Sequence, residues 1–435
     1  MNGMDRQMRE LLDAAVGEPP HQVSVEAVRR RVIRRRVMEY VATGAAVAVT
    51  AAAVLAGIGA LGRGPGRSAA ASTAVPTVYV CNVKGTVIPI RIATNTAGKP
   101  IRVGFLAVTA IAITPDEKTA YVVEGSGSSG TVPPIATVIP IATATNTAGK
   151  PIKVGRFFAG PIAITPDGKT AYVVESSGSS GAVIPIATAT NTVGKPIKVG
   201  RLAGPIAITP DGKTAYVASW SLGTVIPIAT ATNTAGKPIK VGAGLEFGGI
   251  AFTPDGKTAY VVESSGGSGA VIPIDTGTNT AGKPIKVGAS AGGIAITPDG
   301  KTAYVTNQGP GTVIPIDTVT NTAGKPIRVG TSAGPSEIAI TPDGKMAYVG
   351  NLNGTVTPVT IATNTAGKPI KVGGFLGVGP IAITPDGKTV YVASRNLGTV
   401  IPIATATNTA GKPIKVGSSS VVGDTDTLPC MAITP

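Results

Sequence analysis

Residues 297–330 read TPDGKTAYVTNQGPGTVIPIDTVTNTAGKPIRVG, and variants of this stretch recur from residue 77 to the end of the chain. The tripeptide TPD recurs with its proline at positions 115, 166, 210, 254, 298, 342 and 385. The element GKPI(K/R)VG begins eight times, first at Gly98 and last at Gly411. A period of about 44 residues indicates a repeat architecture.

The sequence pattern of each repeat predicts four short β-strands. IAIT and TAYV flank a Pro-Asp-Gly turn, in which proline fixes φ and glycine accepts a positive φ. TVIPI supplies a third strand, and PIKV a fourth after the polar Thr-Asn-Thr-Ala-Gly turn. The β-branched, glycine- and proline-punctuated pattern excludes helical repeats. Four strands per repeat are typical of a β-propeller blade, so we expect an all-β fold. A β-solenoid is the alternative, but its coils are usually shorter.

The two ends of the repeat region predict how the propeller closes. The region enters at residues 77–80, which match a second strand, and ends at residues 431–435, which match only a first strand. Joined, these strands complete an eighth four-stranded blade. Seven blades remain possible, because residues 131–146 (TVPPIATVIPIATATN) contain a partial duplication.

The two cysteines lie beside these terminal strands. Cys81 and Cys430 map onto Val174 and Pro161 of an intact repeat. A two-residue Asp-Gly turn would pair those positions directly, whereas a three-residue turn with a bulge would offset them by one residue. We therefore expect a disulfide in an oxidising exterior. Two separate buried thiols are the alternative.

The third strand of every repeat contains a proline, the residue in TVIPI. Proline donates no hydrogen bond within a sheet and is normally confined to edges and bulges. The pattern predicts a bulge beside this proline, or a loosely paired fourth strand.

The N-terminal region reads as a membrane anchor. Residues 41–62 carry no charge and are long enough to cross a bilayer as a helix, and RRRVIRRR (29–36) lies just before them. By the positive-inside rule, residues 1–40 form a cytoplasmic basic tail, and residues 63–76 a linker to an extracellular propeller at 77–435. The chain would then be a single-pass protein of the cell membrane. A cleaved signal peptide with a site near residues 69–71 is the alternative.

Residues 304–307 read Tyr-Val-Thr-Asn, and the repeat around them resembles the YVTN-family β-propeller proteins over about residues 77–435. The resemblance implies an exported, surface-associated propeller and no single enzymatic activity. Most copies depart from the tetrapeptide, since residues 172–175 read YVVE, residues 216–219 YVAS and residues 348–351 YVGN.

Composition excludes several chemistries from the propeller. The single histidine, His21, lies in the N-terminal tail, and the chain has only two cysteines. Ser-His-Asp hydrolysis, Cys-His proteolysis, zinc clusters and iron–sulfur sites are therefore excluded. We expect no metal and no cofactor. Nucleic-acid binding is not expected either, because the cations are spread evenly along the repeats instead of clustering with aromatic residues.

Strand alternation sorts the connecting segments onto two faces. The loops between the second and third strands, and between repeats, vary in sequence and share one face. That face is where we expect a cation, a sugar or a peptide to bind. The candidate binding residues are Glu124, Glu175, Trp220, Glu263, Asn307, Asn351 and Arg395. The alternative is that these are soluble loops whose aromatic side chains fill the junctions between blades.

The other face carries the nearly invariant TPDGK turns. Their lysines are expected to face the membrane and to attract anionic headgroups or wall polymers. These lysines are Lys169, Lys213, Lys257, Lys301, Lys345 and Lys388.

Together these features predict a monomeric, membrane-anchored, non-catalytic binding or scaffold propeller, with an envelope polymer or surface protein as its partner. The alternative is a propeller enzyme, such as a lactonase-like hydrolase or a quinone-cofactor dehydrogenase, with a metal site in the central channel.

Overall fold

Each repeat folds as one antiparallel sheet. The computed structural model describes residues 75–435 except 83, 105–106, 126–135, 156–157, 177–179, 243–246, 266–267, 331–333, 374–376, 395–396, 418–427, 429 and 435. All of these lie within Ala46–Pro435, the second of two compact units. Eight sheets are present in this part of the chain.

Seven of the eight first strands lead into a TPD turn, and the eighth, β40 at the end of the chain, does not. The first strands are β5 (Val108–Ile113), β10 (Phe158–Ile164), β15 (Ala203–Ile208), β20 (Phe247–Phe252), β25 (Ala291–Ile296), β30 (Pro335–Ile340), β35 (Val378–Ile383) and β40 (Met431–Ile433). Successive first strands contact one another, and β40 contacts both β35 and β5. The first strands therefore form a closed innermost ring.

Seven of the second strands follow TPD turns, and all eight are almost wholly buried. They are β1 (Thr77–Asn82), β6 (Thr119–Glu124), β11 (Thr170–Ser176), β16 (Thr214–Ser219), β21 (Thr258–Ser265), β26 (Thr302–Asn307), β31 (Met346–Asn351) and β36 (Thr389–Ser394). We number the blades 1 to 8 in this order.

The third strands contain the repeated proline. They are β2 (Thr86–Arg91), β7 (Ala136–Ala142), β12 (Gly181–Ala187), β17 (Thr224–Ala229), β22 (Ser268–Asp275), β27 (Thr312–Asp317), β32 (Thr355–Thr360) and β37 (Thr399–Ala404). A short 3₁₀ helix, Ile361–Thr363, follows β32.

The fourth strand of every blade is split into two short pieces. The first pieces are β3 (Thr96–Ala97), β8 (Thr147–Ala148), β13 (Thr192–Val193), β18 (Thr234–Ala235), β23 (Thr280–Ala281), β28 (Thr322–Ala323), β33 (Thr365–Ala366) and β38 (Thr409–Ala410). The second pieces are β4 (Ile101–Arg102), β9 (Ile152–Gly155), β14 (Ile197–Lys198), β19 (Ile239–Lys240), β24 (Ile285–Lys286), β29 (Ile327–Arg328), β34 (Ile370–Lys371) and β39 (Ile414–Lys415).

The repeated proline explains the split. In blade 3, the Gly194 N–H donates to the Pro185 carbonyl at 2.8 Å. The backbone edge of Pro185 therefore faces the fourth strand, and proline has no N–H to donate to that strand. Between the pairs Ile186↔Val193 and Val183↔Ile197, the outer strand carries one extra residue. The predicted bulge is confirmed. The sequence analysis predicted that the fourth strand begins at PIKV. In the structure the strand begins earlier, because the Thr-Ala pair expected in the turn already belongs to it.

The core consists of apolar side chains clamped between neighbouring sheets. One cluster, for example, joins Tyr216 and Val225 of blade 4 to Ile250, Val261 and Ile272 of blade 5. Seven further clusters repeat this arrangement around the described ring. Burial of Val, Ile and Tyr between sheets therefore fixes each blade against the next.

The chain termini close blade 1 as predicted. Strand β40 pairs with β1 in the register Val78↔Ile433 and Tyr79↔Ala432. Direct continuation of that register places Cys81 opposite Cys430, and the two form a disulfide with a Cα–Cα distance of 5.1 Å. The propeller has eight blades, so the seven-blade alternative is wrong. The predicted disulfide is confirmed, and the separate-thiol alternative is wrong.

The predicted tail, transmembrane helix and nearly all of the linker lie outside the described residues. Within the described part of the chain, no helix is long and apolar enough to cross a membrane.

Candidate functional site

The two ends of the strands form two unlike surfaces. The surface that carries the TPD turns and the turns between the third and fourth strands is called the turn face. The surface that carries the other connections is called the loop face. The antiparallel order of the four strands in each sheet places these connections at opposite ends of the blades.

Each TPD turn is held by its own threonine and aspartate. In blade 3, the Thr165 hydroxyl donates to Asp167 Oδ1 at 2.6 Å, and the Lys169 backbone N–H donates to the same oxygen at 3.0 Å. These hydrogen bonds lower the pKa of Asp167 below its ordinary value, the threonine bond first. Gly168 closes the turn at φ 73°.

The predicted lysine ring lies at exposed positions on this face. Five of its six lysines place Nζ 3.3–3.9 Å from the aspartate two residues earlier in the same turn. Their side chains are about four-fifths exposed, so each pair contributes little to stability. The pairing nevertheless offsets most of the positive charge that the sequence prediction assigned to this face.

A ring of tyrosine–asparagine hydrogen bonds joins the blades on the turn face. The tyrosine in each second strand donates its hydroxyl to an asparagine in the next blade's turn between the third and fourth strands. The oxygen–oxygen distances are 2.5–2.7 Å at Tyr79–Asn146, Tyr121–Asn191, Tyr172–Asn233, Tyr216–Asn279, Tyr260–Asn321, Tyr304–Asn364, Tyr348–Asn408 and Tyr391–Asn95. The last bond returns to blade 1, so the ring is complete.

This tyrosine–asparagine ring depends on two unusual environments. The eight tyrosines are at most 1% exposed, and burial raises the pKa of Tyr216 to about 12. All eight asparagines adopt φ between 52° and 56°, a left-handed conformation that asparagine tolerates better than most residues. Sequence reasoning missed this contact, although a tyrosine and an asparagine recur at fixed positions in all eight repeats.

On the loop face, the sequence-predicted carboxylates and amides occupy one repeated position. Every second strand presents a polar side chain at this register. The eight residues are Asn82, Glu124, Glu175, Ser219, Glu263, Asn307, Asn351 and Ser394. The structure thus places the five predicted Glu and Asn residues one to a blade, spread around the ring.

Several of these polar side chains reach across the junction to the preceding blade. Asn307 donates from Nδ2 to the Val287 carbonyl at 2.6 Å. A Cβ built on Gly288 would collide with that amide, and one on Gly104 or Gly155 would collide with the facing glutamate. In these three blades, the glycine that ends the GKPI(K/R)VG element is therefore needed to admit the next blade's polar side chain.

Trp220 also serves a blade junction. Its indole is partly buried against the core cluster between blades 4 and 5, and its ring lies close over Gly204 of the same blade. This is the position that the junction-filling alternative predicts for an aromatic side chain. Arg395 lies outside the described residues.

In the described part of the chain, no group of three or more His, Cys, Asp or Glu side chains converges at metal-binding distance. The innermost strands are dominated by Ala, Ile, Gly and Pro, as in PIAI of residues 380–383. Glu337 in β30 is a partly buried exception. Binding by the predicted loop-face residues stays a prediction.

Comparisons with known proteins identify the fold. No family model and no curated protein matches the chain. The dihydro-heme d1 dehydrogenase NirN in complex with DHE is 14% identical with a TM-score of 0.65, over 83% of this chain and 77% of that one. Hydrazine synthase of Kuenenia stuttgartiensis is 23% identical with a TM-score of 0.54, over 68% and 95% of the two chains.

A putative 6-phosphogluconolactonase from Bacteroides fragilis is similar over 85% of this chain and all of that one, at 18% identity and a TM-score of 0.55. At these identities the likeness shows the fold alone. The chain is a β-propeller.

Proposed function

We propose that this chain is a membrane-anchored, extracytoplasmic β-propeller that serves as a non-catalytic binding or scaffold module of the cell envelope. The observation that carries the proposal is the buried Cys81–Cys430 disulfide across the ring closure. Disulfides persist mainly in oxidising compartments. The arginine run at 29–36, followed by the uncharged segment 41–62, supports the same topology.

The structural difference between the two faces supports a binding role. Contacts that hold the blades together repeat on the turn face, whereas the loop-face connections differ among the blades in length and sequence. Variable loops on a rigid scaffold are the usual location of specific recognition. We therefore assign the ligand to the loop face, with Trp220, Glu175 and Glu263 as the partly exposed candidates. The resemblance to YVTN-family propellers supports a surface role.

The competing proposal is a propeller enzyme. Its support is that the fold neighbours include a dehydrogenase, a hydrazine synthase and a putative lactonase. A channel metal site would require Glu124, Glu175 or Glu263 to converge with Asn307 or Asn351, yet these residues lie on second strands and not on the innermost first strands. Metal content of the purified chain and hydrolysis of a sugar lactone would test it. A stoichiometric metal with turnover would favour the enzyme.

Topology is tested by placing an epitope tag at each end of the full chain. We expect carbonate-resistant membrane association, protease access to the C-terminal tag on intact cells, and protection of the N-terminal tag. Alkylation before reduction should find no free thiol. A variant without residues 41–62 is the matched control and should leave the membrane fraction. A soluble full-length chain with two free thiols would overturn the proposal.

A further inference from the structure

The outer circumference of the propeller carries a regular set of cations that the turn face does not include. Every GKPI(K/R)VG element contributes two, one before and one after the Pro-Ile pair. They are Lys99, Arg102, Lys150, Lys153, Lys195, Lys198, Lys237, Lys240, Lys283, Lys286, Lys325, Arg328, Lys368, Lys371, Lys412 and Lys415. All sixteen are exposed. We call this set the outer belt.

Strand alternation holds the belt outward. In blade 3, Ile197 and Val199 are 6% and 3% exposed, while Lys198 between them is exposed. Because successive side chains of a strand point to opposite sides, burial of the two apolar residues fixes the direction of the lysine. The same Ile-(Lys/Arg)-Val order recurs in all eight blades.

The belt is continuous around the ring. The second outer piece of each blade contacts the first outer piece of the next, as β14 contacts β18 and β19 contacts β23. The series closes where β39 of blade 8 contacts β3 of blade 1. A Thr-Ala or Thr-Val pair with an exposed threonine therefore lies beside each second piece, with no gap between blades.

The belt accounts for the net positive charge of the propeller. Residues 68–435 contain 28 Lys and Arg against 17 Asp and Glu. Lysines of the TPD turns lie beside aspartates of the same turns. Among the described residues, no ion pair involves an outer-belt lysine. The positive potential is therefore concentrated on the rim instead of the turn face.

We infer that the outer belt binds a linear polyanion that winds along the rim. Lysine is a compact point charge suited to phosphate groups, and its repetition in every blade makes binding multivalent. A flat bilayer could touch only one sector of the circumference, whereas a flexible polymer can follow it. The repeated element contains no aromatic residue for base stacking, which a single-stranded nucleic acid would use. The inference deepens the proposed function by naming the partner's chemistry.

Two charge-matched variants of the full chain test the location. One replaces six belt lysines by Gln at positions 153, 198, 240, 286, 371 and 415. The other replaces the six turn lysines at 169, 213, 257, 301, 345 and 388. Each removes six charges. With long-chain inorganic polyphosphate at low salt, we expect the belt variant to lose affinity by at least tenfold and the turn variant by less than about threefold. Equal losses, or a larger loss in the turn variant, would overturn the inference.

Chain length gives a second test on the unaltered protein. A polyphosphate long enough to span several blades should bind at least about a hundredfold more tightly than tripolyphosphate, and raised salt should weaken it steeply. Equal affinity for both lengths would contradict a belt that works by repetition. Binding to anionic phospholipid vesicles is the membrane comparison. Loss of vesicle binding only in the turn variant would show that the turn lysines, and not the outer belt, bind the headgroups. Because these measurements use purified protein, they are independent of the topology test.

Discussion

The two faces of the propeller hold the ring closed by different means. On the turn face, the same tyrosine–asparagine hydrogen bond joins all eight pairs of neighbouring blades. On the loop face, the corresponding junctions use asparagine, glutamate or serine according to the blade, and one covalent bond, Cys81–Cys430, secures blade 1 alone. The turn face therefore distributes its stabilisation evenly, whereas the loop face concentrates it at the chain ends.

The difference shows where the repeats are free to diverge. A substitution in one turn would break a contact with the neighbouring blade, so the turns are nearly identical in sequence. On the loop face, Asn307 and Ser219 donate to backbone carbonyls, whereas Glu124 accepts from a threonine hydroxyl. Each of the three lies against a glycine, so side chains of different chemistry fit at this register. Blade stability in such repeats comes from nearest-neighbour interfaces, and these interfaces are most uniform on the turn face.

The largest effect should come from titrating the tyrosines. Burial raises the pKa of seven of the eight to about 12, and that of Tyr121 in the same direction. Because the folded pKa exceeds the unfolded value near 10, the stabilisation is complete below pH 10 and is lost as the pH rises to about 12. For each tyrosine, a tenfold difference in proton affinity between the folded and unfolded chain corresponds to about 1.4 kcal/mol.

We therefore expect cooperative alkaline unfolding between pH 10 and 12. Circular dichroism would follow the sheet, and absorbance near 295 nm would follow tyrosinate. The two signals should change together, because ionisation requires the junctions to open. The chain has a ninth tyrosine outside the described residues, so formation of several tyrosinates near pH 10 without loss of the sheet would show that the ring does not depend on these hydroxyls.

Removal of the disulfide should be the largest single-site effect on the loop face. The bond joins residues 349 apart in sequence, and the chain-entropy estimate for loops of 100 residues or more is about 5 kcal/mol. The double substitution C81S/C430S should lower the denaturant midpoint accordingly. Hydrogen exchange should rise mainly in β1 and β40, since β40 has only three residues. An unchanged midpoint would mean that the three backbone pairs of β40 suffice.

Loss of one turn-face asparagine should cost less, about 2–3 kcal/mol. Asn279→Ala removes the acceptor 2.6 Å from the Tyr216 hydroxyl and places alanine at φ 55°. Asn279→Gly removes the acceptor but accepts the backbone angle, so the difference between the two variants isolates the conformational cost. Equal stability of Asn279→Ala and the unaltered chain would contradict the role assigned to the tyrosine–asparagine ring.

Much of this architecture could be read from the repeats. The period, the four strands and the complementary chain ends predicted eight blades, and the positions of Cys81 and Cys430 predicted their bond, because register along a sheet follows from counting residues. The proline of the third strand likewise predicted the bulge. These features are local or depend on the pairing of strands within one blade.

Contacts between blades could not be derived in the same way. The hydroxyl of Tyr216 meets an asparagine 63 residues later in the chain, and no pairing rule within a blade connects them. We expected Glu124 and Asn307 to be available for a ligand because they adjoin the variable loops, but the preceding blade's glycine lies against each side chain. Identifying a candidate site therefore requires knowledge of how one sheet packs on the next.

A smaller, stabilising change is expected at the one irregular turn of the turn face. Blade 2 has Glu117 where the other TPD turns have glycine, and Glu117 adopts φ 61°. Glu117→Gly should raise the free energy of unfolding by about 1 kcal/mol, because glycine carries no penalty in this region. The reverse change Gly212→Glu is the matched control and should destabilise, since its Cβ would also lie 3.1 Å from Pro166 Cδ. Stabilisation by both changes would contradict the explanation.

The smallest effect on stability should come from exposed apolar residues, and it separates the two faces by function. Leu222 and Leu397 lie between the second and third strands on the loop face and are 52% and 44% exposed, while Val319 on the turn face is 82% exposed. Replacing any of them by serine should alter unfolding by no more than about 0.5 kcal/mol.

Retention on a cell-envelope fraction should nevertheless differ among these variants. If the loop face binds the ligand, the double change L222S/L397S should weaken retention at high salt, where the outer belt no longer contributes, and V319S should leave it unchanged. The three side chains are all exposed and similarly dispensable for folding, so a difference would reflect recognition. Equal retention of both variants would contradict ligand binding by the loops between the second and third strands of blades 4 and 8.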